Sequence, residues 1–323
     1  MRRTRLAALL LLLPVLCAAA PPDLARDNPT LRALLIARGD CVVFEYYRAG
    51  LNANARSPLR SVTKSVLSAL IGAAIRDARL RLDSRLSSVY SAAPLAPGVG
   101  DVSLRDLLTM TSGLSARRDS DASTPAEALA TLPARTLQSP TGQSFHYDND
   151  SANLASAMLA KAIRDPRKFL SDKLFRPLGI SNFDWAPDEQ GRLSGAGGLS
   201  LTARDLAKIG LLYLRRGAWN RKAILDPKFV ADSLSRHSDG GPPGDAAYGY
   251  LWWVKRDGDG EPAFFAEGAG GQLLYVAPRL DLVAVTSADG DVEGGMRKWF
   301  ETRMFREFTD SGAPTACRAH LAP

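Results

Sequence analysis

From Ser61 to Ile75 the chain carries a helical pattern with no polar face: Val62, Val66, Leu67, Ala69, Leu70, Ile71, Ala73 and Ala74 cover nearly its whole circumference. A helix that is apolar all round is stable only when other elements wrap it, so the rest of the chain must supply that wrapping. With 323 residues, 46% of them hydrophobic, there is enough material for a large core in one or two domains and for a deep cleft.

The flanking patterns indicate what does the wrapping. Residues 31–50 hold two runs rich in β-branched and aromatic side chains, Leu34-Leu35-Ile36-Ala37 and Cys41 to Tyr47, around a turn at Arg38-Gly39-Asp40, which predicts a β-hairpin. From about 80 to 250 the pattern is helical with long Pro/Gly loops. Ser103 can cap a short helix that stops at Thr111-Ser112-Gly113, and Thr202-Ala203-Arg204-Asp205 opens a helix reaching Arg216, with Gly217 as its stop. The chain then returns to strands at Tyr248–Val254, Ala263–Glu267, Gln272–Ala277 and Asp281–Ser287, before a terminal helix over Gly295–Phe308. The expected fold class is α+β: an antiparallel sheet built from both chain ends and flanked by helices, with an inserted all-helical domain. The expected segments are 21–80 (first part of the α/β domain, with the apolar helix), 81–245 (helical insertion) and 246–323 (second part of the α/β domain).

Residues 1–20 read as a signal peptide: a basic start at Arg2, Arg3 and Arg5, an apolar run from Leu6 to Leu16 and small residues at Ala18-Ala19-Ala20. The run is too short for a stable membrane span. A lipoprotein anchor at Cys17 is disfavoured by the bulky Leu16 before it. The expected location is periplasmic or secreted. In an oxidising compartment Cys41 and Cys317 could close a disulfide joining the two ends of the fold, or stay as two thiols. The leader's three arginines account for 3 of the 7 net positive charges. The other charges alternate in sign, as in Arg76-Asp77-Ala78-Arg79, which argues against a nucleic-acid partner.

Ser61-Val62-Thr63-Lys64 places a hydroxyl and an amine on the same side of the apolar helix at its start. A serine hydroxyl needs a base to become a nucleophile, and an amine drawn into apolar surroundings becomes easier to deprotonate. By itself the pattern is weak, since about one match is expected by chance in a chain this long and a capping serine followed by a surface lysine looks the same. Tyr147-Asp148-Asn149 offers a phenol that could shuttle protons and an amide that could contact a substrate carbonyl, or merely a turn with a packed tyrosine. Glu267-Gly268-Ala269-Gly270-Gly271-Gln272 marks a close backbone approach at the junction of two late strands, where the Ala269 and Ser61 N–H groups could polarise a carbonyl. A tight hairpin would give the same sequence.

Taken together and in this order, the three segments resemble the penicillin-recognising serine hydrolases of the serine β-lactamase-like superfamily. These include class C β-lactamases, D-alanyl-D-alanine carboxypeptidases, family VIII-type esterases and 6-aminohexanoate-dimer hydrolases. Leu107 to Leu114, Phe175 to Ile180, Gly197 to Leu206 and Tyr248 to Trp253 are similar as well, so the resemblance spans about 31–310. It implies Ser61 as nucleophile, Lys64 as general base, Tyr147 as second proton-handling residue and Asn149 as a substrate contact, with Gly268, Ala269 and Gly270 along the substrate. It implies no metal and no cofactor.

The departures bear on substrate. Relatives that act on penicillins place Lys-Thr-Gly on the late strand; here the corresponding stretch is Ala266-Glu267-Gly268, so a cation is replaced by a small residue and an acid. This favours a small-molecule ester or amide substrate, cleaved by an esterase or by an amidase of the 6-aminohexanoate-dimer kind, over a β-lactamase or a D-alanyl-D-alanine carboxypeptidase acting on peptides. Asp148 could bind a substrate ammonium. A non-catalytic ligand-binding member of the fold is the rival of another class. A Ser-His-Asp hydrolase is disfavoured by the lack of a Gly-x-Ser-x-Gly elbow, and a zinc enzyme by the lack of His-x-His or His-Glu-x-x-His.

Overall fold

The computed structural model describes residue 23 and residues 28–116, 123–257, 260–290, 295–309 and 316–322. The signal-peptide and Cys17 expectations lie outside these. The apolar helix is α1 (Thr63–Arg76), entered through a 3-10 turn at Arg60–Val62, and every residue from Thr63 to Ala74 is buried. The expected start at Ser61 is therefore a tighter turn, with the α-helix proper beginning two residues later.

The expected hairpin forms as β1 (Leu31–Arg38) and β2 (Cys41–Tyr47), followed by β3 (Arg56–Pro58). Helices α2 (Leu104–Leu108), α3 (Pro125–Thr131), α4 (Asn149–Ala162) and α5 (Pro166–Leu170) come next. Ser103 caps α2 through a reciprocal capping box with Asp106. Strand β4 (Ser200–Thr202) pairs with β3 and leads into α6 (Ala203–Leu214), whose first turn Thr202 caps by accepting from the Asp205 N–H. A small hairpin, β5 (Ala218–Trp219) and β6 (Lys222–Ala223), precedes α7 (Pro227–Ser233).

The remaining strands are β7 (Ser238–Gly241), β8 (Ala246–Tyr248), β9 (Trp253–Arg256), β10 (Pro262–Gly268), β11 (Gln272–Ala277), β12 (Leu282–Ala288) and β13 (Ala319–His320). They join β1 and β2 in one nine-stranded sheet of order β13-β2-β1-β12-β11-β10-β9-β8-β7, every neighbouring pair antiparallel. The α+β class is thus observed, with both chain ends in the sheet. The sheet also draws β7 and the covering helix α6 from inside 81–245, so the β7–β8 hairpin straddles residue 245.

Strand alternation puts helices on both faces. On β11, Leu274 and Val276 face α6, where a Cβ added to Gly210 would stand 2.9 Å from Leu274 and 3.3 Å from Val276. Tyr275, between them, meets Phe300 and Phe305 on the other face. Those two rings belong to the terminal helix, α8 (Met296–Trp299), which loosens to π winding over Phe300–Met304 and ends in a 3-10 turn.

The expected single strand Tyr248–Val254 is instead two strands. Between them Leu251 takes a left-handed φ of 60°, its N–H bonds to the Leu108 carbonyl of α2, and its carbonyl accepts from Ser65 Oγ of α1 at 2.6 Å. The sheet edge bends here to reach the buried helix, which a period-two pattern cannot signal. Cys41 and Cys317 form a disulfide, with Cα atoms 5.4 Å apart, tying β2 to the segment before β13. Among the described residues no helix is long and apolar enough to cross a membrane.

The close seat of α6 depends on Gly210. Gly210→Leu is expected to destabilise the protein by about 1–3 kcal/mol, as overpacking does, read as a lowered urea midpoint.

Candidate active site

Two features set Ser61 at the tip of α1. Arg60 adopts a left-handed φ of 51°, a costly conformation for a non-glycine residue, which turns the chain sharply into the helix. Behind it Leu59 N–H bonds to the Leu199 carbonyl at 2.8 Å. Ser61 is half-buried, whereas Lys64, one turn deeper, is only 1% exposed. Its Nζ donates to Ser61 Oγ at 3.2 Å and to Asn149 Oδ1 at 2.7 Å, and the Ala196 carbonyl lies at 3.5 Å. The alternative of a surface-snorkelling lysine is therefore excluded.

Tyr147 reaches the same point from the helical layer, with its ring centroid 4.8 Å from Lys64 Nζ. Trp253 stacks on the ring at 5.4 Å and Tyr248 meets it edge-on at 6.1 Å, so an aromatic box fixes its orientation. Burial pushes the Tyr248 phenol well above its usual value, and the neighbouring Tyr147 and Asp148 add to the rise.

Asp148 is the extended N-cap of α4 (φ −144°, ψ 162°), and its side chain turns onto the first turn of that helix. It is 5% exposed and accepts from both the backbone N–H and the hydroxyl of Ser151, capping α4. Where a substrate ammonium is the sequence expectation for Asp148, its carboxylate here faces the first turn of the helix. Asn149 was expected to meet a substrate carbonyl; here its side-chain oxygen is engaged by Lys64. In the first turn of α4, Asp150 forms a buried ion pair with Arg135 at 2.6 Å, which anchors the segment carrying Tyr147.

Strand β10 closes the other side. A Cβ on Gly268 would stand 2.4 Å from the Leu59 carbonyl and 3.1 Å from Ser61 N, so only glycine lets the strand end lie against the nucleophile turn. Ser61, Tyr147, Glu267, Gly268 and Ala269 line one cavity of about 460 Å³. Gly270 does not line it. With φ 77° it makes the turn between β10 and β11, while Gly271 and Gln272 reach the cavity instead. Gln272 holds that turn by donating to the Ala288 carbonyl at 2.7 Å and the Gly270 carbonyl at 3.1 Å.

Sequence reasoning missed Arg297. From α8 it donates to Glu267 at 2.7 Å, to Glu301 at 3.3 Å and to the Gly244 carbonyl at 3.1 Å, and it lies over the Phe265 ring. Lys255 joins at Glu301, 2.8 Å away. The Glu267 carboxylate is thereby matched by a guanidinium from another element. The spacing of Arg297 and Glu301 along one helix face was readable; their meeting with Glu267 was not.

The sequence profile of the Beta-lactamase family matches residues 19–301. The chain belongs to that family. A 6-aminohexanoate-dimer hydrolase from Paenarthrobacter ureafaciens is 28% identical in an alignment 304 positions long that covers 82% of this chain and 74% of the relative. Two solved structures show the same fold. A penicillin-binding protein from Bacillus halodurans has a TM-score of 0.70 at 18% identity, covering 87% of this chain and 97% of its own. A penicillin-binding protein homologue from Caulobacter crescentus has a TM-score of 0.70 at 16% identity, covering 84% and 91%. The family resemblance read from the Ser61, Tyr147 and Gly268 segments therefore holds along most of the chain.

If Asp148 serves only as a cap, Asp148→Ala should cost about 0.5–2 kcal/mol of stability. Asp148→Asn should keep both stability and the KM for an amine-bearing ester; a large rise in that KM would return Asp148 to the substrate. Gly268→Ala should lower kcat at least about tenfold by driving the strand end away from Ser61, measured on an ester substrate beside a thermal melt.

Proposed function

We propose that this Beta-lactamase family member is an exported serine hydrolase that cleaves an ester or amide bond through an acyl-enzyme on Ser61. The observation that carries the reading is the buried Lys64 amine, 3.2 Å from Ser61 Oγ with the Tyr147 ring beside it. In this reading neutral Lys64 removes the hydroxyl proton as Ser61 Oγ attacks the substrate carbonyl. The Ser61 and Ala269 N–H groups take the developing oxyanion, and the Lys64/Tyr147 pair returns the proton to the leaving alcohol or amine. A water deprotonated by the same pair then releases the acid and regenerates Ser61.

A cavity of about 460 Å³ suits a small molecule. The curated 6-aminohexanoate-dimer hydrolase relative and the absence of a lysine at Ala266 favour a short ester or a linear amide over a β-lactam or a D-alanyl-D-alanine peptide. Export is supported by the Cys41–Cys317 disulfide, which suits an oxidising compartment.

The test is turnover of p-nitrophenyl butyrate, the 6-aminohexanoate dimer and nitrocefin, with fluorophosphonate labelling alongside. The wild type should label and turn over the ester or the amide. Ser61→Ala should lose at least about 10³-fold in kcat, and Tyr147→Phe should slow acylation and deacylation together. Ester turnover unchanged in Ser61→Ala would reject the assignment.

A further inference from the structure

At the sheet edge opposite β7, β13 is held on β2 by the register pairs Ala319↔Val42 and His320↔Cys41 and by the nearby Cys41–Cys317 disulfide. Cys317 and His320 are exposed and Cys41 is half-buried. His320 Nε2 stands 3.6 Å from Cys317 Sγ, while its Nδ1 is 3.1 Å from Asp40 Oδ2. The other Asp40 oxygen lies 3.9 Å from Arg215, and the neighbouring Arg318 is turned onto the Phe44 ring. A carboxylate, an imidazole and one sulfur of the bridge are therefore aligned on the surface, on three segments that share no residue with the cavity at Ser61.

A bridge that only staples two strands has no use for a proton-bearing ring beside one sulfur. A sulfur that leaves as thiolate does: an adjacent imidazolium stabilises the thiolate, and a better leaving group speeds thiol–disulfide exchange. Asp40 holds the far ring nitrogen at 3.1 Å and so turns the other nitrogen toward the sulfur.

We propose that the Cys41–Cys317 bridge is a thiol-exchange site for a small thiol, with His320 stabilising the Cys317 thiolate and Asp40 positioning His320. The thiolate of the incoming thiol attacks Cys41 Sγ. The S–S bond breaks with its electron pair on Cys317, leaving a mixed disulfide on Cys41 and a thiolate facing the imidazolium. A second thiolate attacks the outer sulfur of the mixed disulfide and releases the Cys41 thiolate, which takes a proton from water. Two small thiols are oxidised to their disulfide and the protein bridge is reduced to two thiols, leaving β13 on the sheet by its non-covalent bonds to β2 and Asp40.

The test uses the full exported chain with its bridge intact, incubated with reduced glutathione at pH 7. Free thiols are trapped with iodoacetamide and glutathione adducts located by mass spectrometry. Wild type should pass through an adduct on Cys41. His320→Gln should open the bridge about tenfold more slowly, and Asp40→Asn should also be slower, while ester turnover by both variants reports that they are folded. Equal rates in wild type and His320→Gln, or the adduct on Cys317, would overturn the proposal.

Discussion

A lysine amine buried one turn inside an apolar helix is the constraint around which the rest of the molecule is arranged. At 1% exposure Lys64 has lost water as a hydrogen-bonding partner, so the protein must supply polar groups at the right points. It does so from three places distant in sequence: Ser61 Oγ, Asn149 Oδ1 and the Ala196 carbonyl. Each needs its own support. The left-handed Arg60 turns the chain into Ser61, the Asp148 cap and the Arg135–Asp150 pair hold the start of α4, and Gly195 lies so close to the Ala152 carbonyl that a Cβ would stand 2.1 Å from it.

The burial of α1 is achieved element by element. Tyr213 of α6 hydrogen-bonds Ser68 at 3.1 Å, Phe229 of α7 covers Gly72 closely enough that a Cβ would stand 2.4 Å from the ring, and the bend after β8 takes up Ser65. The Ser65 and Ser68 hydroxyls on this helix are thus spent on tertiary bonds, and the sheet, the helical layer and the nucleophile turn are held to one another through α1. The cavity beside Ser61 is finished by elements from the far end of the chain, and its charges are organised there. The Lys255–Glu301–Arg297–Glu267 chain of ion pairs locks α8 to β9 and β10. Glu267, unfavourable to an anionic substrate when read alone, enters the cavity wall as half of an ion pair.

Much of this was legible before any coordinates. The hairpin β1–β2, the buried α1, the caps at Ser103 and Thr202 and the stop at Gly217 follow local rules of periodicity and hydrogen bonding that act over a few residues. The Ser61, Tyr147 and Gly268 segments were found because their order along the chain is a family pattern. The break between β8 and β9 was not legible, since it is imposed by bonds from Leu251 to Leu108 and Ser65. Nor was the capping role of Asp148, because a carboxylate before a helix start reads equally as a cap or as a ligand until the backbone direction is known.

The sequence alone determined which stretches are apolar enough to require burial and which residues carry reactive chemistry, because those properties belong to side chains and their nearest neighbours. Only the tertiary structure decided which of the reactive groups meet. That Lys64 meets Asn149, that the Tyr147 ring lies beside it, and that Arg297 answers Glu267 depend on strand order and helix packing, and so on contacts between residues that no local rule connects.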